Sequence, residues 1–433
     1  MAENAREIVL DTLLEIERNK VYSNQLVKAV LDKYDYLEGQ EKRFIKRVVE
    51  GCVERKIELD YYLNQYSTVP VNKMKPLIRC LMRMGVYQIL YMDGIPDSAA
   101  CNEAVKLANK RKFTNLKGFV NGVLRKIVTN KERLPLPDAE TAPLLYLSVK
   151  YSMPEWIVSM WLEEYGKADT TTILDALAAI HPISVRFRTD MSEAERERYI
   201  QTWEKQGVLV KESGILPYVY SLENVEGVGS LEGFVEGAFA IQDVSSALSV
   251  EAAEVSNTDV CMDICAAPGG KTMLAAEKAK TVLSRDVSEN KVALIEENCE
   301  RMQLLNKVIT QVWDATVFDE SKVEFADVVL MDVPCSGLGV MGKKRDIKYH
   351  VTPEGLESLM ELQQQIVESS WQYVKKGGIL LYSTCTINRA ENQDRVKWIC
   401  DNLPFALEEE KQILPGFMEA DGFYYARLRR NAE

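Results

Sequence analysis

The sequence has few histidines, and its cysteines follow no regular spacing. Only two histidines occur among 433 residues, His181 and His350, which leaves histidine-based triads and His-rich metal sites almost no side chains to use. There are nine cysteines, an odd number, and they are scattered from Cys52 to Cys400. A secreted disulfide scaffold would instead have a dense, regular array of cysteines. We therefore expect reduced thiols, and any nucleophile must be sought among residues other than histidine.

Long apolar runs are also missing. The longest, such as Gly378-Ile-Leu-Leu-Tyr382, fall far short of the roughly 20 residues that cross a membrane. The residues Met1-Ala-Glu-Asn4 lack signal-peptide character. Hydrophobic residues make up 46% and charged residues 27%, as in ordinary globular proteins. We expect a cytoplasmic protein of two or three domains, with no membrane segment.

The net charge of −12 is unevenly distributed along the chain. Residues 1–133 contain 24 Lys and Arg against 17 Asp and Glu, a net charge of +7, so the remainder carries −19. The densest basic cluster consists of Lys106, Lys110, Arg111, Lys112, Lys117, Arg125 and Lys126. Glu103 is the one acid beside it. Two interpretations stay open: a solvated helical face, or a patch that contacts the phosphates of a nucleic acid.

The first 133 residues have the apolar spacing of a helical bundle. Apolar residues recur every three or four positions, and breaks at Gly39, at Val69-Pro70, at Gly94-Ile-Pro96 and near Thr114-Asn115 divide the segment into about six short helices. No catalytic cluster accompanies them. We expect an all-α binding or scaffolding domain over residues 1–133.

The pattern changes twice after the bundle. Residues 134–236 begin with the linker Leu134-Pro-Leu-Pro137 and continue with a helix and short alternating stretches, which predicts a small α+β domain. In residues 237–433, apolar runs alternate with helical patterns, which predicts a doubly wound α/β sheet with buried parallel strands. The predicted strands are Val260–Ile264, Val282–Asp286, Val308–Val312, Asp327–Met331 and Ile379–Ser383. A helix over 355–374 is expected to end at Lys375-Lys-Gly-Gly378, where cations and a glycine suit a helix terminus.

A ligand-binding loop follows the first strand of the last domain. Small residues in Asp263-Ile-Cys-Ala-Ala-Pro-Gly-Gly-Lys271 allow backbone amides at the next helix to approach a ligand. Gly270-Lys271-Thr272 also resembles the end of the phosphate-binding sequence G-x-x-x-x-G-K-[ST], but that motif requires glycine where Cys265 stands. A nucleoside-binding loop is the alternative interpretation, and it requires an acidic residue at the end of the next strand.

Aspartates stand at the ends of three predicted strands. Asp286 is placed to bond ribose hydroxyls, Asp314 follows the next strand and would border an adenine, and Asp332 ends the fourth strand. Strand-end aspartates can also merely cap helices. Together with the loop, they predict one ligand crevice at the carboxyl edge of the sheet.

Two cysteines follow predicted strands. Cys335 in Asp332-Val-Pro-Cys-Ser-Gly337 and Cys385 in Tyr382-Ser-Thr-Cys-Thr386 lie where parallel sheets bind ligands. A zinc site lacks a C-x-x-C pair, whereas a thiolate is an effective nucleophile at neutral pH once its pKa is modestly lowered. The predicted strand order brings the two thiols together but does not decide which one attacks. The cysteines on helical patterns are interpreted as buried hydrophobic residues: Cys52, Cys80, Cys299 and Cys400.

These motifs resemble the RNA cytosine-5 methyltransferases of the RsmB/NOP family. The resemblance rests on Gln242-Asp-Val-Ser-Ser246, the Cys265–Lys271 loop, Asp332-Val-Pro-Cys-Ser-Gly-Leu-Gly339, Asp346-Ile-Lys348 and Ser383-Thr-Cys-Thr-Ile-Asn388. In the bundle, Asn102-Glu-Ala-Val-Lys-Leu107 and Gly118-Phe-Val-Asn-Gly-Val-Leu-Arg125 are similar to the NusB-like RNA-binding domain that this family carries. The resemblance implies an all-α NusB-like bundle, a small α+β domain and a Rossmann-like class I methyltransferase domain.

The same resemblance implies roles for individual residues. Cys385 is the nucleophile that adds to carbon 6 of cytosine, Cys335 assists the elimination, Asp332 holds the cytosine edge and Lys271 lies near the base and the methyl donor. S-adenosylmethionine, the implied cofactor, is held by Cys265, Ala266, Ala267, Pro268, Gly269, Gly270, Lys271, Asp286, Asp314 and Asp332.

The implied substrate is 16S ribosomal RNA, free or in a partly assembled small subunit, and the expected protein is a monomer without a metal. A transfer-RNA cytosine methyltransferase and an inactive NusB-like RNA-binding factor are the competing functions. The fused bundle weighs against the first, and the intact cysteines and cofactor loop weigh against the second.

Overall fold

The computed structural model describes residues 4–179, 181–225 and 227–432. The α-helices, in chain order, are α1 (Ala5–Asn19), α2 (Ser23–Lys33), α3 (Gly39–Glu54), α4 (Lys56–Tyr66), α5 (Pro76–Tyr91), α6 (Asp97–Lys110), α7 (Lys117–Thr129), α8 (Pro143–Lys150), α9 (Glu155–Ala178, interrupted at Gly166), α10 (Glu193–Lys205), α11 (Val244–Ala252), α12 (Gly270–Lys278), α13 (Glu289–Arg301), α14 (Ile347–His350), α15 (Pro353–Ser370) and α16 (Gln393–Asn402). No helix within these described ranges is long and apolar enough to cross a membrane.

The β-strands of the described chain all lie after residue 182. They are β1 (Ile183–Phe187), β2 (Leu209–Glu212), β3 (Val219–Glu223), β4 (Phe239–Ile241), β5 (Val260–Asp263), β6 (Thr281–Asp286), β7 (Val308–Val312), β8 (Ala326–Asp332), β9 (Val374–Thr384), β10 (Phe405–Ile413) and β11 (Phe423–Arg430). The chain folds into two compact units, one of Met1–Asp175 with Lys344–His350 and the other of Ala176–Lys343 with Val351–Glu433.

The first unit is an all-α bundle built around α5. Residues Ile78 to Ile89 of α5 are buried almost without interruption, and the apolar faces of α1, α3, α4, α6 and α7 pack on them. Helix α1 begins at Asn4, whose side chain accepts a hydrogen bond from the backbone N–H of Arg6. The expected bundle is confirmed, but the structure has seven α-helices between residues 4 and 133 instead of about six, because the chain also turns at Lys20, where φ is 51°, and at Arg55, between α3 and α4.

Residues Lys344–His350 belong to the same unit as the bundle, although they follow β8 in the chain. Asp346, in the motif Asp346-Ile-Lys348, accepts a hydrogen bond from the backbone N–H of Ser23 at the start of α2. The Tyr349 hydroxyl donates to the backbone carbonyl of Glu54 at 3.2 Å. Nothing in the sequence pattern indicates that this motif packs on the bundle.

The second unit holds two sheets. Strands β2, β3, β1 and β4 form a four-stranded antiparallel sheet in that order, with α10 beside it, and this is the predicted small α+β region. Arg186 of β1 is fully buried and bonds to Glu277 of α12 and to Gln242, both at 2.7 Å. A buried guanidinium needs such partners, so the ion pair joins the small sheet to helix α12 beside the larger sheet.

The larger sheet has seven strands in the order β10-β11-β9-β8-β5-β6-β7. Strands β5 to β9 are parallel, which confirms the Rossmann-like domain, and β11 and β10 extend that sheet antiparallel at the β9 edge. The five predicted strands all occur. Because β8 pairs with both β5 and β9, the carboxyl ends of these three strands lie side by side.

One predicted helix end is wrong. Helix α15 ends at Ser370, and Lys375-Lys-Gly-Gly378 belongs to β9 instead of capping a helix. The Lys375 ammonium pairs with the Asp327 carboxylate of the neighbouring strand at 2.8 Å. The division into domains at residues 133 and 236 stays a prediction.

Candidate active site

The ends of β8 and β9 place two cysteines together. The strands run parallel with Asp332 opposite Ser383, so Cys335 and Cys385 both follow strand ends on the same edge. Their Sγ atoms lie 3.3 Å apart, and both residues are partly exposed. The two thiols therefore form a hydrogen-bonded pair at the edge where a parallel sheet binds ligands, as the strand order predicted.

The proton of Cys335 is held tightly. Its hydrogen bond with Cys385, its burial, and the negative charges of Cys385, Glu391 and Asp332 together raise the pKa of the Cys335 thiol well above its usual range. Cys335 thus stays a thiol at neutral pH and can donate its hydrogen to the sulfur of Cys385. The two thiols therefore differ in role, with Cys335 as the hydrogen-bond donor and Cys385 as the acceptor.

Lys271 and Asp332 form an ion pair at the same strand ends. The Lys271 Nζ donates to Asp332 Oδ2 at 2.8 Å, and the Ser383 hydroxyl donates to Oδ1 at 2.8 Å. The Lys271 ammonium also lies 4.9 Å from the centre of the Phe423 ring. These contacts fix the Asp332 carboxylate, whose remaining lone pairs can accept hydrogen bonds from an exocyclic amino group.

The Cys265–Lys271 loop connects β5 to α12. It comprises Cys265, Ala266, Ala267, Pro268, Gly269, Gly270 and Lys271. Gly269 has φ 103°, a left-handed backbone conformation that favours glycine at the tight entry into α12. The loop thereby presents the amino end of a nine-residue helix, where free N–H groups attract acceptor atoms.

Asp286 fastens this loop to the next strand. Its carboxylate accepts hydrogen bonds from the backbone N–H groups of Ala267 at 2.9 Å and of Val287 at 2.8 Å. Each carboxylate oxygen keeps further lone pairs, so Asp286 can still accept hydrogen bonds from ribose hydroxyls. Its place at the end of β6 matches the prediction.

Asp314 follows β7 and is exposed. Its carboxylate accepts hydrogen bonds from the backbone and hydroxyl of Thr316 at 2.9 and 2.7 Å, which lower the pKa of Asp314. The preceding residue, Trp313, donates its backbone N–H to the carbonyl of Asp286 at 2.9 Å. Asp314 is therefore an ionised, exposed side chain engaged in a local turn just beyond the end of β7.

A buried carboxylate lies under the loop. Asp263 ends β5, is 1% exposed, and accepts a hydrogen bond from the Thr272 hydroxyl at 2.7 Å. Burial raises the pKa of Asp263 to about 7. Asp263 thus supports the start of α12 from within the sheet.

Sequence reasoning missed several residues that shape this edge. Phe423 lies on β11, a strand that was not predicted. Glu391 is fully buried near both cysteine loops, yet in the sequence it is one polar residue in a polar turn. Lys343 bonds Asp243 and Asp421, each at 2.8 Å, and so fixes the far end of the chain that follows Cys335. Their signal in one sequence is weak because each acts through contacts distant along the chain.

The part of the chain that the structure describes contains no candidate metal-binding site. There, no group of three or more histidine, cysteine, aspartate or glutamate side chains is placed to hold a metal ion.

Comparison with known proteins identifies both halves of the chain. Residues 250–429 match the family model described as 16S rRNA methyltransferase RsmB/F, and residues 3–129 match the NusB family. The chain is 34% identical to the probable ribosomal RNA small subunit methyltransferase B of Bacillus subtilis, over 99% of each protein.

Solved structures share the fold. The crystal structure of PH0851 matches with a TM-score of 0.81 at 24% identity, covering 99% of this chain and 100% of that chain. NSun6 from Pyrococcus horikoshii, solved with SFG, matches with a TM-score of 0.55 at 20% identity, covering 65% and 98%. At these identities the likeness is one of fold.

Proposed function

The chain belongs to the RsmB/F family of 16S rRNA methyltransferases, and from this premise we propose that it transfers a methyl group from S-adenosylmethionine to carbon 5 of a cytosine in 16S ribosomal RNA. The observation that carries the proposal is the pair of thiols 3.3 Å apart at the ends of β8 and β9. Carbon 5 of cytosine is too weak a nucleophile to react unaided, and a thiol pair supplies both a nucleophile and a base.

In the proposed reaction, the thiolate of Cys385 forms a bond to carbon 6, and the electrons of the C5=C6 double bond make carbon 5 nucleophilic. S-adenosylmethionine, when bound, would supply the methyl group: a bond from the methyl carbon to carbon 5 would form as its bond to the sulfonium sulfur breaks, and S-adenosylhomocysteine would leave. Cys335, after losing its own proton to solvent, removes the proton from carbon 5. The C5=C6 bond then re-forms, the bond from Cys385 to carbon 6 breaks, and its electrons return to the sulfur of Cys385.

The division of roles has support from the site. The raised pKa of Cys335 favours the thiol form there, so Cys335 can donate a hydrogen bond to a thiolate on Cys385 and can later act as a strong base. This supports Cys385 as the nucleophile and Cys335 as the group that assists elimination, as the family resemblance implies.

The residues around the thiols fit the proposed ligands. The amino end of α12 and the carboxylates of Asp286 and Asp314 would hold the nucleoside part of S-adenosylmethionine. Asp332 would accept a hydrogen bond from the amino group of cytosine, and Lys271 would hold that carboxylate in position. A nucleotide-hydrolase function is not favoured, since Cys265 takes the place of a required glycine.

The proposed RNA substrate follows from the family and from the NusB match over residues 3–129. A base inside a stack cannot present carbon 6 to a thiolate, so the target cytosine must be single-stranded or turned out of its helix. In this proposal residues 1–133 bind RNA and residues 237–433 carry out methyl transfer. Residues 134–236 connect these two domains. A cytoplasmic, monomeric protein stays a prediction.

The test uses unmethylated small-subunit ribosomal RNA, free and in partly assembled subunits, with methyl-labelled S-adenosylmethionine. We expect labelled 5-methylcytidine from the wild type and none from Cys385→Ala. Transfer RNA serves as the competing substrate. Full activity of Cys385→Ala, or label on another nucleoside, contradicts the proposed chemistry, and preferential labelling of transfer RNA favours the alternative function.

A further inference from the structure

Glu391 is a buried carboxylate beside the two thiols. It lies in the turn between β9 and α16 and is 0% exposed. Its oxygens accept four hydrogen bonds: from the backbone N–H of Ser336 at 2.9 Å, the Ser336 hydroxyl at 2.5 Å, the Gln363 amide at 2.9 Å and the Asn388 amide at 3.1 Å. Within the described residues Glu391 has no ion pair with a lysine or arginine, so these four donors alone compensate for its burial.

The donors come from three separate segments of the chain. Ser336 follows Cys335 directly, and Asn388 lies three residues after Cys385. Gln363 of α15 donates to Glu391 and to the carbonyl of Pro334, at 3.0 Å, on the other side of Cys335.

Two further bonds tighten the same turn. The hydroxyl of Ser336 lies 2.7 Å from that of Thr386, and Tyr382 donates its hydroxyl to the carbonyl of Glu391 at 2.8 Å. One carboxylate thus joins the loop of the first thiol to the loop of the second.

We propose that Glu391 is a positioning residue that holds the Cys335 loop against the Cys385 loop and so keeps the two thiols within hydrogen-bond reach. The inference rests on the proposed two-thiol reaction. Glu391 also contributes negative charge beside Cys335, together with Asp332, which is paired with Lys271, and with Cys385. The Tyr382 phenol also interacts electrostatically with this thiol. The role predicts an effect on the elimination step, which depends on Cys335.

Two substitutions separate position from charge. Glu391→Gln keeps the length of the side chain and most of its acceptors but removes the charge. Glu391→Asp keeps the charge but is too short to bond both Ser336 and Gln363. Glu357→Gln changes an exposed glutamate of α15 and serves as the matched control. All variants are compared as the full chain, with folding checked by circular dichroism and thermal unfolding.

Two RNAs separate the steps. Small-subunit ribosomal RNA containing 5-fluorocytidine traps the covalent adduct because fluorine cannot leave carbon 5 as a proton does, so it reports on attack and methyl transfer. Ordinary RNA, followed in single-turnover reactions, reports on release as well.

We expect Glu391→Gln to form the trapped adduct at a rate near that of the wild type. The pH at which its release rate reaches half its maximum should fall by on the order of one unit, because a neutral neighbour lowers the pKa of Cys335. Glu391→Asp should keep the wild-type midpoint and release RNA about tenfold more slowly. The KM for RNA should stay unchanged in both variants.

A purely structural role gives a different result. It would reduce adduct formation and release equally and leave the pH profile in place, and that outcome overturns the inference. If Glu391→Gln fails to fold, Ser336→Ala, which removes only the hydroxyl contacts, should slow release selectively, and an equal loss in both steps counts against the proposal. A wild type that traps no adduct overturns the proposed function together with this inference, whereas normal trapping with an unchanged release profile overturns the inference alone.

Discussion

The ammonium of Lys271 lies 2.8 Å from Oδ2 of Asp332, and the two side chains are 10% and 30% exposed. The pair links the start of α12 to the end of β8, and the Ser383 hydroxyl holds the other oxygen of the carboxylate. The ion pair and the hydroxyl together fix the orientation of the carboxylate at the strand ends. The two members of the ion pair should therefore act as a unit.

We predict that Lys271→Met and Asp332→Asn each lower the rate of methyl transfer about 100-fold or more, because each removes a fixed charge from the site. In thermal or chemical unfolding the double variant should be less destabilised than the sum of the two single variants, with an interaction free energy of about 1–2 kcal/mol. Lys271→Arg, which keeps the charge, is the control. Strictly additive stability losses would contradict the idea that the two side chains depend on each other.

Cys335→Ala should form the covalent protein–RNA adduct and fail to release it. The variant keeps the nucleophile but lacks the base, so the adduct should accumulate with ordinary RNA and be visible as a shifted band in a denaturing gel. The double variant Cys335→Ala/Cys385→Ala should show no such band. An adduct that still forms in the double variant would assign the nucleophile to another residue.

The pH dependence of release follows from the raised pKa of Cys335. A raised thiol pKa means that Cys335 is protonated at neutral pH, and the base required for elimination appears only as the pH rises. We therefore expect the release rate of the wild type to increase with pH from about pH 7 and to continue rising beyond the ordinary thiol pKa of about 8.5. Rapid-quench measurement of product release checks this, and a flat profile would remove Cys335 from the elimination step.

Much of the catalytic half could be predicted from one sequence because its signals are local. Each parallel strand is a short apolar run, and β7 occurs over the predicted residues Val308–Val312. The cysteines and aspartates that end these strands lie along one edge, since parallel strands align their carboxyl ends.

Strand β10 was missed because its side chains carry no apolar alternation. Six successive residues after Phe405 are exposed, and the run includes Glu408, Glu409 and Glu410. These carboxylates bond across to Arg429, Tyr425 and Tyr424 of β11. Only the partner strand explains why so charged a segment is extended, and the sequence does not show that pairing. Glu391 was missed for the same reason, since its donors are separated along the chain.

Asp263 should make stability depend on pH. Its pKa is raised from the ordinary value to about 7 in the folded protein, so the folded state binds this proton more tightly than the unfolded state. Stability from this group is present below the unfolded pKa of about 3.9 and is lost as the pH rises towards 7. Asp263→Asn should therefore gain stability over the wild type from about pH 4 to pH 7, by up to about 4 kcal/mol.

Chemical unfolding at a series of pH values, without cofactor, measures this difference. The exposed Asp401→Asn is the matched control and should follow the wild type at every pH. A constant difference between Asp263→Asn and the wild type would show that Asp263 is ionised throughout.

Asp346 should stabilise the helical bundle unit. Its carboxylate accepts a hydrogen bond from the backbone N–H of Ser23, where the helix dipole of α2 favours a negative charge. Asp346→Ala should lower the free energy of unfolding by about 1–2 kcal/mol, and Asp346→Asn, which keeps an acceptor, should cost less. Chemical denaturation measures both. Asp32→Ala, on the exposed face of α2, is the control, and an equal loss in that variant would contradict the assignment.

The basic cluster of the bundle divides into paired and unpaired cations. Lys106 pairs with Glu103, Lys110 with Glu7, and Arg111 with Glu7 and Asp11, so acids from α1 also face the cluster. Among the residues that the structure describes, four members of the cluster have no ion pair with a carboxylate: Lys112, Lys117, Lys126 and Arg125, whose guanidinium donates to the Asn121 side chain at 3.1 Å. These four side chains can contact RNA phosphates without first breaking an ion pair.

We predict that the triple variant Lys112→Gln/Lys117→Gln/Lys126→Gln binds small-subunit ribosomal RNA more weakly and flattens the plot of log affinity against log salt concentration. Each lost phosphate contact should reduce the slope by about one unit, because fewer counterions are released on binding. The matched control, Lys106→Gln/Lys110→Gln, removes cations that already have carboxylate partners and should change the slope much less. Equal slopes for the triple variant and the wild type would instead identify the cluster as a solvated helical face. An equal reduction of the slope in the triple variant and in the control would show that an ion pair with a carboxylate does not prevent a cation from contacting RNA.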